Sequence, residues 1–199
     1  MAPRIYLAGP DVFLKDAVEI GQRKQRLCEE FGFEGLFPFD VNKSMEGDPD
    51  PIKIFVRNCE LMESAAIGLF NLTPFRGVSA DAGTIFELGF MFGRHQAGQR
   101  KLLYGYAGTQ DPYATRVIRD FGSAEAQYES SRDHKGYRIE AFDRYFDNLM
   151  IVRAIIETGG RIITKDETQK GSDQYIAAFD AFEASLKEIL RKTTNDNVK

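Results

Sequence analysis

The chain is poor in the residues that most often carry metal, redox or triad chemistry. Its 199 residues hold two histidines, His95 and His134, and two cysteines, Cys28 and Cys59. Two isolated histidines leave little material for a histidine metal site or a Ser-His-Asp triad. Two cysteines make neither a disulfide framework nor a zinc cluster, and they read as reduced, half-buried thiols of a cytoplasmic protein. No apolar run approaches the roughly 20 residues that span a bilayer. The start, "MAPRIYLAGPDVF", lacks the apolar core of a signal peptide. A basic surplus is also missing. With 26 Lys and Arg against 30 Asp and Glu the net charge is −4, which argues against nucleic acid as a partner. No GxGxxG follows the first apolar strand, so a dinucleotide site is not expected. GxxxxGK[ST] and GxSxG are absent too, excluding a P-loop and the hydrolase elbow.

What remains is the composition of an ordinary globule, 43% hydrophobic and 28% charged. The length suits a single domain, read here as 1–192, with 193–199 as a frayed tail. Apolar runs "RIYLA" (4–8), "EGLFPF" (34–39), "AAIGLFNL" (65–72), "KLLYGY" (101–106) and "RIIT" (161–164) predict five strands. Helical spacing predicts helices over 15–31, from Pro51 to about 64 with Asp50 as N-cap, over 82–96, 141–159 and 172–192. Residues 107–140 read as a long loop with room for a short helix, the kind of segment that serves as a lid or binding loop.

Strands alternating with helices imply an α/β fold with a central parallel sheet of about five strands between two helical layers. In a flavodoxin-like order, the first and third strands meet where the winding reverses. Ligands bind at the carboxyl ends of strands beside such a switch point. The loops leaving those strands are "AGPDVF" (8–13) and "NLTPFRGVSAD" (71–81).

The second loop leads into "SADAGTIFELGFMFG" (79–93), where Asp81 and Glu87 stand in an almost wholly apolar, glycine-rich run. Asp81 is placed to cap the helix. Glu87, between Phe86 and Leu88, faces burial, which is costly for a carboxylate without a partner. It is either a satisfied core glutamate, paired with Arg57 or Arg76, or a reactive group. Gly83, Gly89 and Gly93 cost helix propensity and point to close approach by a backbone or ligand. Two carboxylates beside an apolar pocket suit glycosyl transfer, in which one attacks an anomeric carbon.

"IYLAGPDVF", "NLTPFRGVSADAGTIFELGFMFG" and "GYRIEAFDRYFDNLMI" together resemble the nucleoside 2-deoxyribosyltransferases, in the family's order, from residue 4 to about 190. The resemblance implies Glu87 as nucleophile, Tyr6 as the tyrosine that orients it, and Asp81 as the holder of sugar hydroxyls. It implies Phe13 as the aromatic over the base and Asn58 at a base-handling position. Asp40 and Asn42 fall near a base-reading loop. Asn148 matches an asparagine given to the neighbouring subunit's site, so a homodimer or a multiple of dimers is implied. The substrates implied are nucleosides and free nucleobases, as in nucleotide salvage, with no cofactor and no metal. The family often reads "FGLP.NLM" where this chain has "FDRYFDNLM", so that Asp143, Arg144, Tyr145 and Asp147 replace small or apolar residues. A nucleoside or deoxynucleotide N-glycosidase that uses water as acceptor shares the fold and the glutamate, and a non-catalytic nucleoside-binding module that kept the fold is the other alternative. The acids Asp11 and Asp16 of the first loop are expected to repel a phosphate and so to favour a free nucleoside.

Overall fold

The computed structural model describes residues 2–38, 50–122, 132–139, 145–166 and 170–196. Strands form where the apolar runs allow: Arg4–Ala8 (β1), Glu34–Leu36 (β2), Ile67–Asn71 (β3), Leu102–Ala107 (β4) and Ile162–Thr164 (β5). They make one parallel sheet in the order β2-β1-β3-β4-β5. This is the expected flavodoxin-like order. β1 and β3 pair from Ile5 with Ile67 to Ala8 with Phe70, which places the switch point between them.

Side-chain alternation assigns each strand residue to a layer. Ile5, Leu7, Ile67, Leu69, Tyr104 and Tyr106 pack with Cys28 of α1 (Ala17–Glu30) and Phe182, Leu186 and Ile189 of α7 (Phe179–Asp196). On the other face Tyr6, Ala8, Phe70 and Leu103 meet α2 (Pro51–Ser64), α3 (Ala82–Gln96) and α5 (Leu149–Glu157) through Met62, Leu88, Met91 and Ile155. Tyr6 therefore points toward α3, the helix that carries Glu87.

The segment 107–140, read as a long loop with room for a short helix, contains one, α4 (Tyr113–Phe121). Two expected elements come out differently. Of the helix expected over 141–159, residues 141–144 lie outside the described residues, and the described helix α5 starts at Leu149 with Asn148 as its N-cap. Residues 145–148 are not helical, because the Asp147 carboxylate accepts the Asn148 and Ala80 amides and holds the chain in a turn. The helix expected over 172–192 is two, α6 (Asp173–Ala177) and α7, separated by Ala178 in the left-handed region at φ 48°. That break presents the Ile176 carbonyl to the Asn71 amide group at 2.7 Å. α7 then continues to Asp196, past the end expected at 192.

The α2–β3 junction is held by one buried cation. Lys101 Nζ donates to the carbonyls of Met62, Glu63 and Ala65 at 3.2, 2.9 and 2.7 Å. These are carbonyls that a helix end leaves without intrahelical donors. Lys101→Met keeps the stem and removes all three bonds. It should lower the unfolding free energy by about 2–4 kcal/mol, since each unsatisfied buried group costs about 1–3 kcal/mol and water recovers part of it. Urea denaturation reads this directly, and an unshifted midpoint would show that the ammonium is dispensable.

Candidate active site

At the carboxyl end of β1 the chain must turn beside β3 with almost no space. A Cβ on Gly9 would stand 2.5 Å from Asn71 Cβ and 2.6 Å from Asp11 Oδ2. The turn Pro10–Phe13 follows, and with Gly9 it walls a cavity of about 340 Å³. Val12 and Phe13 form one side, Ile54 and Asn58 of α2 another, and Asp81, Gly83, Thr84 and Glu87 of α3 the third. That volume lies within the range of small-molecule sites. A second cavity of about 310 Å³ shares Asn58, Gly83 and Glu87 and is walled by Phe55, Cys59, Met62 and Phe86. Glu87 thus borders both.

Glu87 is partnered by neither arginine named as a candidate. Arg57 pairs with Glu60, and Arg76 stacks over Phe13 and Phe75. The partner is Tyr6, whose hydroxyl donates to Glu87 Oε1 at 2.6 Å. Burial pushes the Glu87 carboxyl up to about 7. The Tyr6 hydrogen bond pulls the other way, and the Asp81 charge adds to the rise. Burial, then the Glu87 charge, drives the Tyr6 hydroxyl far above its ordinary range, so it stays a donor.

Asp81 caps α3, Oδ2 accepting from Thr84 N at 3.0 Å and Thr84 Oγ1 at 3.3 Å. It lines the cavity as well, so capping and contact with a ligand are compatible. Gly83 keeps that carboxylate accessible, since a Cβ there would lie 3.0 Å from Asp81 Oδ2. Asn58 Oδ1 is buried without a hydrogen-bond partner, one of two such side-chain atoms among the described residues. An orphaned acceptor on a cavity wall fits a ligand that brings a donor. Phe13 is 53% exposed and stacks on Phe75 at 5.5 Å.

The structure brings Tyr6, Phe13, Asn58, Asp81 and Glu87 to one place. Asn148 is not among the residues that line the cavity in the single chain. Its side chain caps α5, accepting from Met150 N at 2.9 Å. Asp40 and Asn42 lie outside the described residues. Sequence reasoning singled out the loop that carries Phe75 and Arg76 and named Arg76 as a partner for Glu87, but it missed Phe75 and the stacking of Arg76 on the aromatic pair. Arg76 adopts φ 55°, which places its guanidinium 5.0 Å from the Phe13 ring centre and 4.7 Å from that of Phe75, and no residue type at that position signals this.

Asp11 does not act as expected. It is 2% exposed and accepts from Lys24 Nζ at 2.8 Å and from Asn71 Nδ2. Lys24 also donates to the Tyr106 hydroxyl at 2.7 Å. The Asp11 charge is neutralised inside the α1 layer, so it carries no argument against an anionic substrate. A larger cavity, about 440 Å³, lies between α1 and α6. Its carboxylates Asp16, Glu19 and Asp173 are exposed, so it lacks the desolvated acid that distinguishes the Glu87 site. Among the described residues no cluster of His, Cys, Asp or Glu could hold a metal, and no helix is long and apolar enough to cross a membrane.

Comparison with known proteins bears on the same elements. An uncharacterized protein of Schizosaccharomyces pombe is 34% identical over 120 residues, 58% of this chain and 54% of that protein. The chain thus spans about half the length of this curated relative. Among solved structures, a 2-desoxiribosyltransferase from Leishmania mexicana superposes with a TM-score of 0.56 at 24% identity, covering 92% of this chain and 97% of that one. A conserved protein from Enterococcus faecalis gives a TM-score of 0.54 at 15% identity, covering 94% and 99%. At these identities both speak for the fold. A family model for nucleoside 2-deoxyribosyltransferase matches residues 5–150, from β1 into α5 and across every described residue that lines the Glu87 cavity, and the chain belongs to that family.

Proposed function

We propose that the chain transfers a 2-deoxyribosyl group between nucleobases through a covalent intermediate on Glu87. The observation that carries this reading is the 2.6 Å bond from Tyr6 to a desolvated carboxylate on a cavity wall. In the first half-reaction a Glu87 oxygen forms a bond to C1′ as the C1′–N bond breaks. The bonding pair leaves with the base, which takes up a proton. In the second, an incoming base attacks C1′ from the other face and releases its N–H proton to solvent, the ester bond breaks, and the carboxylate is restored. Two inversions give net retention. Asp81 holds sugar hydroxyls, Asn58 meets the base edge, and Phe13 covers the ring. The steps use carboxylate and hydrogen-bond chemistry alone, so no cofactor is invoked.

Incubation with deoxyinosine or thymidine plus free adenine tests this by chromatography. New deoxyadenosine establishes transfer. Free base and deoxyribose without deoxyadenosine would replace transfer by hydrolysis. The paired Asp11 and the cation of Arg76 beside Phe13 make a deoxynucleoside monophosphate a necessary second donor in that assay.

Tyr6→Phe keeps the ring packing and removes one hydrogen bond to a charged group, worth about 1.5–3 kcal/mol. The rate should fall roughly tenfold to a few hundredfold. Tyr6 holds the Glu87 carboxyl down, so its loss raises that group further. The acid side of the rate profile, which in the wild type should rise through a pH of about 7, should move to higher pH. An unchanged profile would mean the bond does not act on the reactive state.

The same reading makes the working unit a pair of chains. On α5, Val152 and Ile155 are buried in their own chain, whereas Met150 is 72% and Ile156 41% exposed. A further cluster of exposed apolar side chains stands on α2 and α3, where Ile52 is 72%, Phe55 56%, Val56 49% and Phe86 58% exposed. Gly89 and Gly93 on α3 meet nothing within 4 Å, so their cost to the helix is unexplained within one chain. An exposed aromatic patch beside a flat glycine stripe suits a two-fold contact against a second copy. Light scattering should give a dimer or a multiple, and Phe55→Glu with Phe86→Glu should dissociate it. A monomer in the wild type would remove this part of the reading.

A further inference from the structure

Arg116 is a charged side chain that the proposed chemistry leaves unused. It stands on α4, is 1% exposed, and its three nitrogens reach three different loops. Nε donates to the Val78 carbonyl at 2.7 Å, Nη1 to the Asp111 carbonyl at 2.7 Å, and Nη2 to Asp147 Oδ2 at 3.1 Å. The guanidinium lies 4.5 Å from the Phe146 ring centre. Asp147 is equally buried and has further duties. Its Oδ2 accepts from Ala80 N at 3.3 Å and its Oδ1 from Asn148 N at 2.8 Å. The pair therefore touches the residue before Asp81 and the residue that caps α5, and it fixes both turns at once.

We propose that Arg116 and Asp147 form a positioning clamp that locks the Asp81 turn and the Asn148 turn into one rigid unit. Its catalytic consequence rests on the deoxyribosyl-transfer reading, whereas its mechanical content does not. The physical basis is the fork of the guanidinium. Five donors in one plane serve acceptors that diverge, which a single ammonium cannot match. Truncating Asp147 would also take away the carboxylate that the buried Arg116 charge faces. In the folded chain, a displacement of Asp147 thus moves Ala80 and Asn148 together. If Asp81 serves one site and Asn148 its neighbour, the clamp sits between the two sites.

Arg116→Lys is the informative variant, because it keeps the charge and loses the fork. Asp147→Asn is the companion, because a side-chain amide cannot present acceptors to Arg116, Ala80 and Asn148 together. Hydrogen exchange on the full chain, at a temperature where each variant is folded, should show peptides containing Ala80 and Asn148 exchanging at least about tenfold faster. Peptides of β1 and β3 should be unchanged. In the same variants kcat should fall at least about tenfold. In the wild type, the two segments should share one dependence on denaturant, as parts of one opening unit do. Different dependences in the wild type would overturn the clamp whatever the variants do. Faster exchange confined to α4, or spread evenly through the chain, would overturn it as well. Loosened turns with unchanged kcat would reduce the pair to a structural tie and overturn the positioning role. A wild type without transfer activity would sink the catalytic reading and leave exchange to decide the clamp.

Discussion

Glu87→Gln is expected to abolish transfer, lowering the rate by about three orders of magnitude or more, as loss of a nucleophile does. The change is nearly isosteric, and Tyr6 can still donate to the remaining oxygen, so the fold should survive. A 2-fluoro-arabinosyl nucleoside should add one sugar mass to the wild type on the peptide containing residue 87 and none to the variant. Label on another residue, or an active variant, would remove Glu87 from its role. The same substitution should act on stability with the opposite sign. The folded chain holds the Glu87 proton up to about 7 against an ordinary 4.5, so between those values the native state binds more protons than the unfolded one. Stability from this group is full below 4.5 and is lost as pH climbs through 7. At pH 8 the buried carboxylate costs the fold roughly 3 kcal/mol. Glu87→Gln should therefore melt higher than the wild type at pH 8 and match it near pH 4.5. Equal melting at both would mean that the carboxylate is solvated, and its reactivity would need another cause.

A mixture of two inactive chains should regain activity. In the two-chain reading each site joins Glu87 of one chain with Asn148 of the other. Glu87→Ala and Asn148→Ala homo-oligomers should each be nearly dead. After joint unfolding and reassembly, half of randomly paired dimers are mixed, and each mixed dimer holds one complete site. Recovery to roughly a quarter of wild-type activity follows if the sites act independently. Asn148 also caps α5, so Asn148→Ala costs about 1 kcal/mol of stability on its own. Asn148→Ser keeps a capping oxygen and should still be inactive as a homo-oligomer. An active Asn148→Ser chain would assign the residue to capping alone. No recovery in properly reassembled mixtures would rule out a shared site.

Much of this was legible along the chain. The five strands, the switch point and α3 follow from apolar runs, helical spacing and the caps Asp50 and Asp81, each written in a few contiguous residues. The oddity of Glu87 was equally local, a carboxylate inside an apolar helix. Its partner was not. Tyr6 stands 81 positions away, and only the alternation of β1 within the assembled sheet turns its hydroxyl toward α3. The buried pair Lys24–Asp11 reverses the electrostatic meaning of "AGPD", because a charge read as exposed is neutralised by a helix that the sequence places elsewhere. The start of α5 and the break at Ala178 escaped the pattern for the same reason. Apolar spacing runs straight through both, with no glycine or proline to mark them. Long-range hydrogen bonds decide them instead, Asp147 taking the Ala80 amide and the Ile176 carbonyl taking Asn71. Local residues thus determined which elements form and which carboxylate is strained. The tertiary structure decided which groups satisfy it, because a hydrogen bond needs its partners within about 3 Å and only the packed sheet and helices bring such distant residues that close.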